Sequence, residues 1–214
     1  MRLFYSVIFA ITILSMTSCY PKRAFYTVEL QTVESPTNAK QQFGQTKVVN
    51  FSNVGGNKNV FEDEFINISW NVKSETLDFE LTNKSNHTMK INWDDVSYVD
   101  YKGEVKRVIH ANTKYIDKEN AQVSLSIPKG AKLSDLFFPS EKAEFVRYRS
   151  KYQSYDYWTK KTLIPSVYKK KKEREEKAPM YTGKTMSVLL PIMIEGVQND
   201  YYFTFEIGTW RSRE

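Results

Sequence analysis

Apolar and polar residues alternate with period two over most of this chain. From Phe65 to Val72 the residues Ile66, Ile68, Trp70 and Val72 fall on one side and Asn67, Ser69 and Asn71 on the other, which predicts a half-buried strand. Leu77, Phe79 and Leu81 repeat the pattern against Asp78 and Glu80. Asn83-Lys84-Ser85-Asn86 then turns the chain into Met89, Ile91 and Trp93, which predicts a hairpin. Val96 to Tyr101 and Val105 to His110 flank a Tyr101-Lys102-Gly103-Glu104 turn, where Gly103 supplies the positive φ of a tight connection. Val123 to Ile127 alternates again and stops at Pro128-Lys129-Gly130, a type I turn signature. Thr185 to Ile194 and Tyr201 to Ile207 form a last pair, with Pro191 predicting an edge or a bulge in the first.

Roughly seven to nine short strands without strand-helix alternation predict an all-β fold, an immunoglobulin-like antiparallel β-sandwich. Trp70 and Trp93 are its expected core aromatics. Residues 59–210 form the expected sandwich domain, and residues 139–183 are too long for an ordinary connection, so they are expected to be an insertion that carries function. The second half of this insertion predicts a short helix after Pro165, with Glu173 and Lys177 spaced to pair on one face. Phe25 to Val33 reads as a strand that either joins the sheet edge or spaces the domain from its point of attachment; residues 19–58 are read as a tether.

The N-terminal residues follow a different pattern. Arg2 precedes an apolar run from Leu3 to Leu14, too short to span a bilayer, which needs about 20 apolar residues. This predicts a cleaved signal peptide over residues 1–18. The chain's single cysteine, Cys19, comes next. Met16-Thr17-Ser18-Cys19 resembles the lipobox of bacterial lipoproteins, with Met16 in place of the usual aliphatic residue. That resemblance implies lipidation at Cys19 with palmitate-type acyl chains, which leaves no thiol for catalysis, metal binding or a disulfide. An ordinary signal peptide or an uncleaved anchor are the alternatives. In bacterial lipoproteins of the Bacteroidetes type acidic residues just after the cysteine direct surface exposure, so by that resemblance the basic Tyr20-Pro21-Lys22-Arg23 implies the outer membrane facing the periplasm, with the cell surface as the other possibility.

Charge narrows the partners. The net charge of +6 is modest, and export removes nucleic acid from consideration. The membrane, reached through the N-terminal lipid, and an envelope protein or acidic glycan remain. Arg147, Arg149 and Lys151 interleave with Tyr148 and Tyr152, followed by Tyr155, Tyr157 and Trp158, a composition that grips anionic polymers by charge and stacking. With Lys169 and Lys170 they make up the expected partner surface. The alternative is that the tyrosines pack the insertion against the sandwich.

The sequence names no reaction. His110, with Asp94 or Asp100, is the one general-base candidate, and the competing reading is a hydrogen-bonded residue fixing a corner of the sandwich. No nucleophile motif accompanies it. Asp94, Asp95 and Asp100 lack calcium-loop spacing, and zinc ligands are wanting, so no metal or cofactor is expected.

Several segments are shared with a further group. Asn83-Lys84-Ser85, Trp93-Asp94-Asp95, Tyr98-Val99-Asp100, Gly103, Arg107-Val108-Ile109-His110 and Ile127-Pro128-Lys129-Gly130 resemble uncharacterised bacterial envelope lipoproteins with an immunoglobulin-like sandwich. So do Gly183-Lys184, Leu190-Pro191-Ile192 and Tyr202-Phe203 with Phe205. The resemblance implies the location and the fold, and carries no activity. The expected function is therefore a non-enzymatic interaction or structural module of the cell envelope. A glycan-binding lipoprotein using Tyr155, Tyr157 and Trp158 as a stacking platform is the alternative, and a hydrolase-like enzyme using His110 with Asp94 or Asp100 the third.

Overall fold

The computed structural model describes residues 21–36, 46–50 and 59–212. The expected signal peptide, Cys19 and much of the expected tether lie outside them. Strands dominate, and every pairing between them is antiparallel. In chain order they are β1 (Lys22–Arg23), β2 (Phe25–Pro36), β3 (Thr46–Asn50), β4 (Val60–Glu62), β5 (Ile66–Val72) and β6 (Leu77–Asn83). Then come β7 (Met89–Ile91), β8 (Ser97–Val99), β9 (Val105–His110), β10 (Leu125–Ile127), β11 (Lys132–Pro139), β12 (Ala143–Arg149) and β13 (Ser154–Lys160). Last are β14 (Val167–Tyr168), the helix α1 (Lys171–Lys177), β15 (Thr185–Ile194) and β16 (Val197–Arg211).

Twelve strands form one curled sheet in the order β3-β2-β16-β15-β8-β9-β11-β6-β5-β4, with β7 and β10 added beyond β15. The curl turns on β9. Its first half, Val105 to Arg107, pairs with β8, and its second half, Val108 to His110, pairs with β11. A strand that changes partner midway hands the sheet from one layer to the other. Strands far apart in the order consequently meet face to face: the Trp70 ring of β5 lies 5.0 Å from Phe203 and 5.5 Å from Phe205 on β16. Phe61 of β4 likewise meets Tyr201 and Phe203 edge-on.

The alternation read from the sequence is the alternation of burial. Ile66, Ile68 and Trp70, then Leu77, Phe79 and Leu81, then Tyr201, Phe203, Phe205 and Ile207 all point into the core, and their intervening neighbours do not. Trp70 and Trp93 are both core residues.

Two expectations are corrected. β2 is no spacer: it joins the sheet along β16 and buries Leu30 and Val33. Its residues 25–31 have β16 alone as a neighbouring strand among the described residues, as at an edge, while its residues 32–36 are covered by a further strand, β3. The folded domain therefore begins by Lys22, not at residue 59. Pro191 sits on an interior strand. It is tolerated because β15 pairs with β8 through Ser187 to Leu189 and with β7 through Ile192 to Ile194, and Pro191 falls in the interval between those ladders, where a missing N–H costs least. Several strands had no counterpart in the expected set: β1, β3, β4, β12, β13 and β14, and also β11, which lies between β6 and β9.

Candidate functional site

After Pro139 the chain leaves the curled sheet. β12 and β13 pair only with each other, over seven residues from Ala143↔Lys160 to Arg149↔Ser154. The tip is closed by the Ser150 amide, which donates to the Gln153 carbonyl, and by the Ser150 hydroxyl, which accepts from the Tyr152 and Gln153 amides. A lone hairpin is marginal in water, so its base has to be held. Ala143 is buried with Ile109 and Phe138, and the Trp158 ring packs edge-on against Tyr115, 5.9 Å away. The Lys118 ammonium donates to the carbonyls of Ser140 and Ala143 and sits over the Trp158 ring. Lys106 bridges Glu104 and Glu141, and these carboxylates hold its ammonium well above the usual lysine range.

Register sorts the exposed side chains into two faces. Val146 pairs with Tyr157 and Tyr148 with Tyr155, so Tyr148, Tyr155 and Tyr157 share one face. Tyr148 and Tyr155 stack at 4.7 Å, and Tyr157 continues the row 5.7 Å from Tyr155. These rings are 41%, 49% and 45% exposed, so the tyrosines pack on one another and not on the curled sheet. Phe145 pairs with Trp158 and Arg147 with Asp156, placing Phe145, Arg147, Arg149, Asp156 and Trp158 on the opposite face. There Arg147 lies over Phe145, and Arg149 pairs with Asp156, pulling that carboxyl below the ordinary aspartate range. Tyr152 stands at the tip, 86% exposed, beside Lys151.

The expected platform of Tyr155, Tyr157 and Trp158 is thus two surfaces. Trp158 belongs to the hairpin's base, and Tyr148 takes its place in the tyrosine row. Phe145 had not been singled out. The Phe145-Val146-Arg147-Tyr148-Arg149 alternation on one side of the Ser150–Gln153 turn, and Tyr155 to Trp158 on the other, is the signal that could have found it.

Lys169 and Lys170 belong to neither face. They precede α1, which packs beside β1 and β14. β1 pairs with β14 through Lys22↔Tyr168 and Arg23↔Val167, and Ala24, Tyr168 and Ala178 are buried together beneath. Inside this corner the Tyr26 hydroxyl contacts those of Tyr168 and the Pro165 carbonyl, and burial followed by the Tyr168 contact pushes its phenol far above the usual range. Arg174 is buried over the Trp210 ring. Lys177 reaches Glu173 at 2.9 Å, the expected helical pair.

His110 has a different carboxylate from the two expected. Its Nδ1 lies 3.0 Å from Asp135 Oδ2, and its ring stacks on Trp93 at 4.5 Å and 4°. Both side chains are about 5% exposed or less. Asp94 instead pairs with Arg107 and accepts from the Gln122 amide, and Asp100 accepts from the amides of Lys102 and Glu104 to close their turn. Gln122 ties these groups together, its amide side chain accepting from the His110 N–H and donating to the Val108 carbonyl. A cavity of about 620 Å³ opens beside Asp135, Ser134, Trp70 and Asn112, but His110 does not line it. Among the described residues no three acidic, histidine or cysteine side chains cluster closely enough to hold a metal, and no helix is long and apolar enough to cross a membrane.

No protein-family model, curated protein or solved structure matches this chain.

Proposed function

We propose that the chain is a lipid-anchored, non-enzymatic immunoglobulin-like module of the bacterial cell envelope, held to the outer membrane through acylated Cys19 and facing the periplasm. It engages an envelope protein through the β12–β13 hairpin. The observation that carries this reading is the tyrosine row: three rings nearly half exposed on a strand pair outside the main sheet. Rigid aromatic rings with polar tips are favoured contact residues at protein interfaces, because they contribute large area at low entropic cost. The burial of His110 between Trp93 and Asp135 favours a structural role for that residue over a catalytic one.

Site-specific photocrosslinking in intact envelopes tests the contact. A benzophenone side chain at Tyr152 should give a discrete protein adduct, while the same group at Val105, which is 68% exposed, should not. Equal adducts at both positions, or none at Tyr152, would sink the reading.

The row also favours a second reading, an acidic glycan stacked along Tyr148, Tyr155 and Tyr157, with Lys151 at the tip of the same hairpin supplying charge. Tyr157→Ala should then lower retention on an acidic polysaccharide column, and Lys151→Gln should lower it further at low salt. Unchanged retention in both variants ends this alternative.

A further inference from the structure

Only Tyr20 and Pro21 separate Cys19 from Lys22, whose backbone is already paired with Tyr168. An extended chain advances at most about 3.6 Å per residue, so the corner built by β1, β14 and α1 stands within roughly 11 Å of Cys19. That corner is basic. Lys22, Arg23, Lys169, Lys170, Lys171 and Lys172 are all exposed on it. Among the described residues only Lys171 of these six pairs its charged side chain with a carboxylate, Glu175 at 3.7 Å, while Glu173 accepts from the Lys169 backbone N–H. The acidic residues of α1 are largely committed: Glu173 to Lys177, Glu175 to Lys171 and Arg174, leaving Glu176. Val167 of β14 and Met180, in the turn that follows α1, are 54% and 65% exposed.

We propose that this corner is a membrane-facing surface that binds the anionic headgroups of phospholipids. The inference rests on the reading that Cys19 is acylated, and it adds what the acyl chains cannot supply. Two or more chains already hold a protein to a bilayer, so the basic corner sets orientation. With the tether this short, its charges sit about one Debye length from the headgroups, where attraction survives physiological salt. The hairpin's basic residues Arg147 and Lys151 belong to a separate sheet and have no such tether.

The test uses the mature chain, residues 19–214, carrying Cys19→Ser, so that no acyl chain contributes. Its sedimentation is followed with phosphatidylcholine vesicles, with and without phosphatidylglycerol, at low and high salt. Binding should require phosphatidylglycerol and vanish at high salt. Replacing Lys169, Lys170 and Lys172 with Gln should weaken it at least about tenfold, since each lysine at an anionic surface contributes on the order of fivefold. Arg147→Gln with Lys151→Gln should leave it unchanged. Binding that ignores phosphatidylglycerol, or that follows the hairpin pair and not the lysine triple, overturns the proposal. The mass of the mature protein from cells tests the anchor separately. An acylated Cys19 with no vesicle binding defeats the basic corner alone, and an unmodified Cys19 with phosphatidylglycerol binding defeats the anchor and leaves the corner as a peripheral membrane surface.

Discussion

Arg147 and Tyr148 are neighbours in the chain and point to opposite faces of β12. Alternation therefore separates what composition joins: the charges and the rings that look like one binding motif fall on two surfaces. The consequence is measurable. Trp158→Ala removes the contact with Tyr115 and Phe145 and should cost about 1–3 kcal/mol, while Tyr157→Ala, on the open face, should stay within about 0.5 kcal/mol; urea unfolding of the two variants checks the contrast. At the other polar site, His110→Ala leaves the Asp135 carboxylate without its imidazole in a nearly dry place. A loss of about 2–4 kcal/mol is expected, and Asp135→Asn should cost less because the amide can still meet Nδ1. Tyr201 gives a pH signature. Burial first, then Asp63, whose Oδ2 accepts from its hydroxyl, raises the phenol far above its ordinary value near 10. Burial raises Tyr98 in the same direction. A raised folded-state value means that the unfolded chain releases its proton first, so stability is intact below pH of about 10 and falls as pH rises beyond it, by up to about 1.4 kcal/mol per pH unit for each buried phenol. Urea midpoints measured on both sides of that pH should show the decline, and Tyr201→Phe should flatten it.

Among the elements, the hairpin and β11 are opposites. β12 and β13 have few ties to the curled sheet beyond their base, so replacing residues Arg147 to Asp156 with a short Gly-containing turn should leave the melting temperature nearly unchanged and the strand signal in circular dichroism intact. A large drop would mean that the tip is structural. β11 is central and was not legible. Its Lys132-Leu133-Ser134-Asp135-Leu136-Phe137-Phe138-Pro139 sequence breaks alternation at Ser134 and Asp135 and ends in proline. Asp135 can be buried only because His110 on the neighbouring strand receives it, and that pairing spans 25 positions in the chain. α1 was legible from its Glu173–Lys177 spacing, yet seven residues are too few to hold a helix in water. Its stability comes from Arg174 over Trp210 and from the buried cluster beneath, neither of which a local pattern announces.

For the whole molecule, the decisive strand is β2. It runs beside β16 through Tyr202↔Glu34 to Arg211↔Phe25, with bulges where Thr204 gives way to Phe205 and where Ile207 gives way to Trp210. A chain that begins at Val60 would lose this partner along with Leu30 and Val33, each worth about 1.5–3 kcal/mol when buried. It should not fold, as judged by the loss of dispersed amide signals in NMR. A folded fragment would return β2 to the tether. The same placement brings the folded domain to within two residues of Cys19, so that lipid anchoring and the position of the basic corner become one question.

Local alternation was enough to determine a β-rich chain, most of its strands and the inward direction of Trp70, Trp93 and the Phe203–Ile207 series, because a strand's period is a property of consecutive residues. The leader and lipidation at Cys19 are expectations of the same local kind, drawn from apolarity and residue size, and they fall outside the described residues. Tertiary structure alone decided how the sheet curls at β9, that β2 joins the sheet against β16, which carboxylate meets His110, and that Lys169 and Lys170 stand apart from the tyrosine row. Each of these depends on a partner remote in sequence, and the free energy that selects it arises only when both partners leave water together.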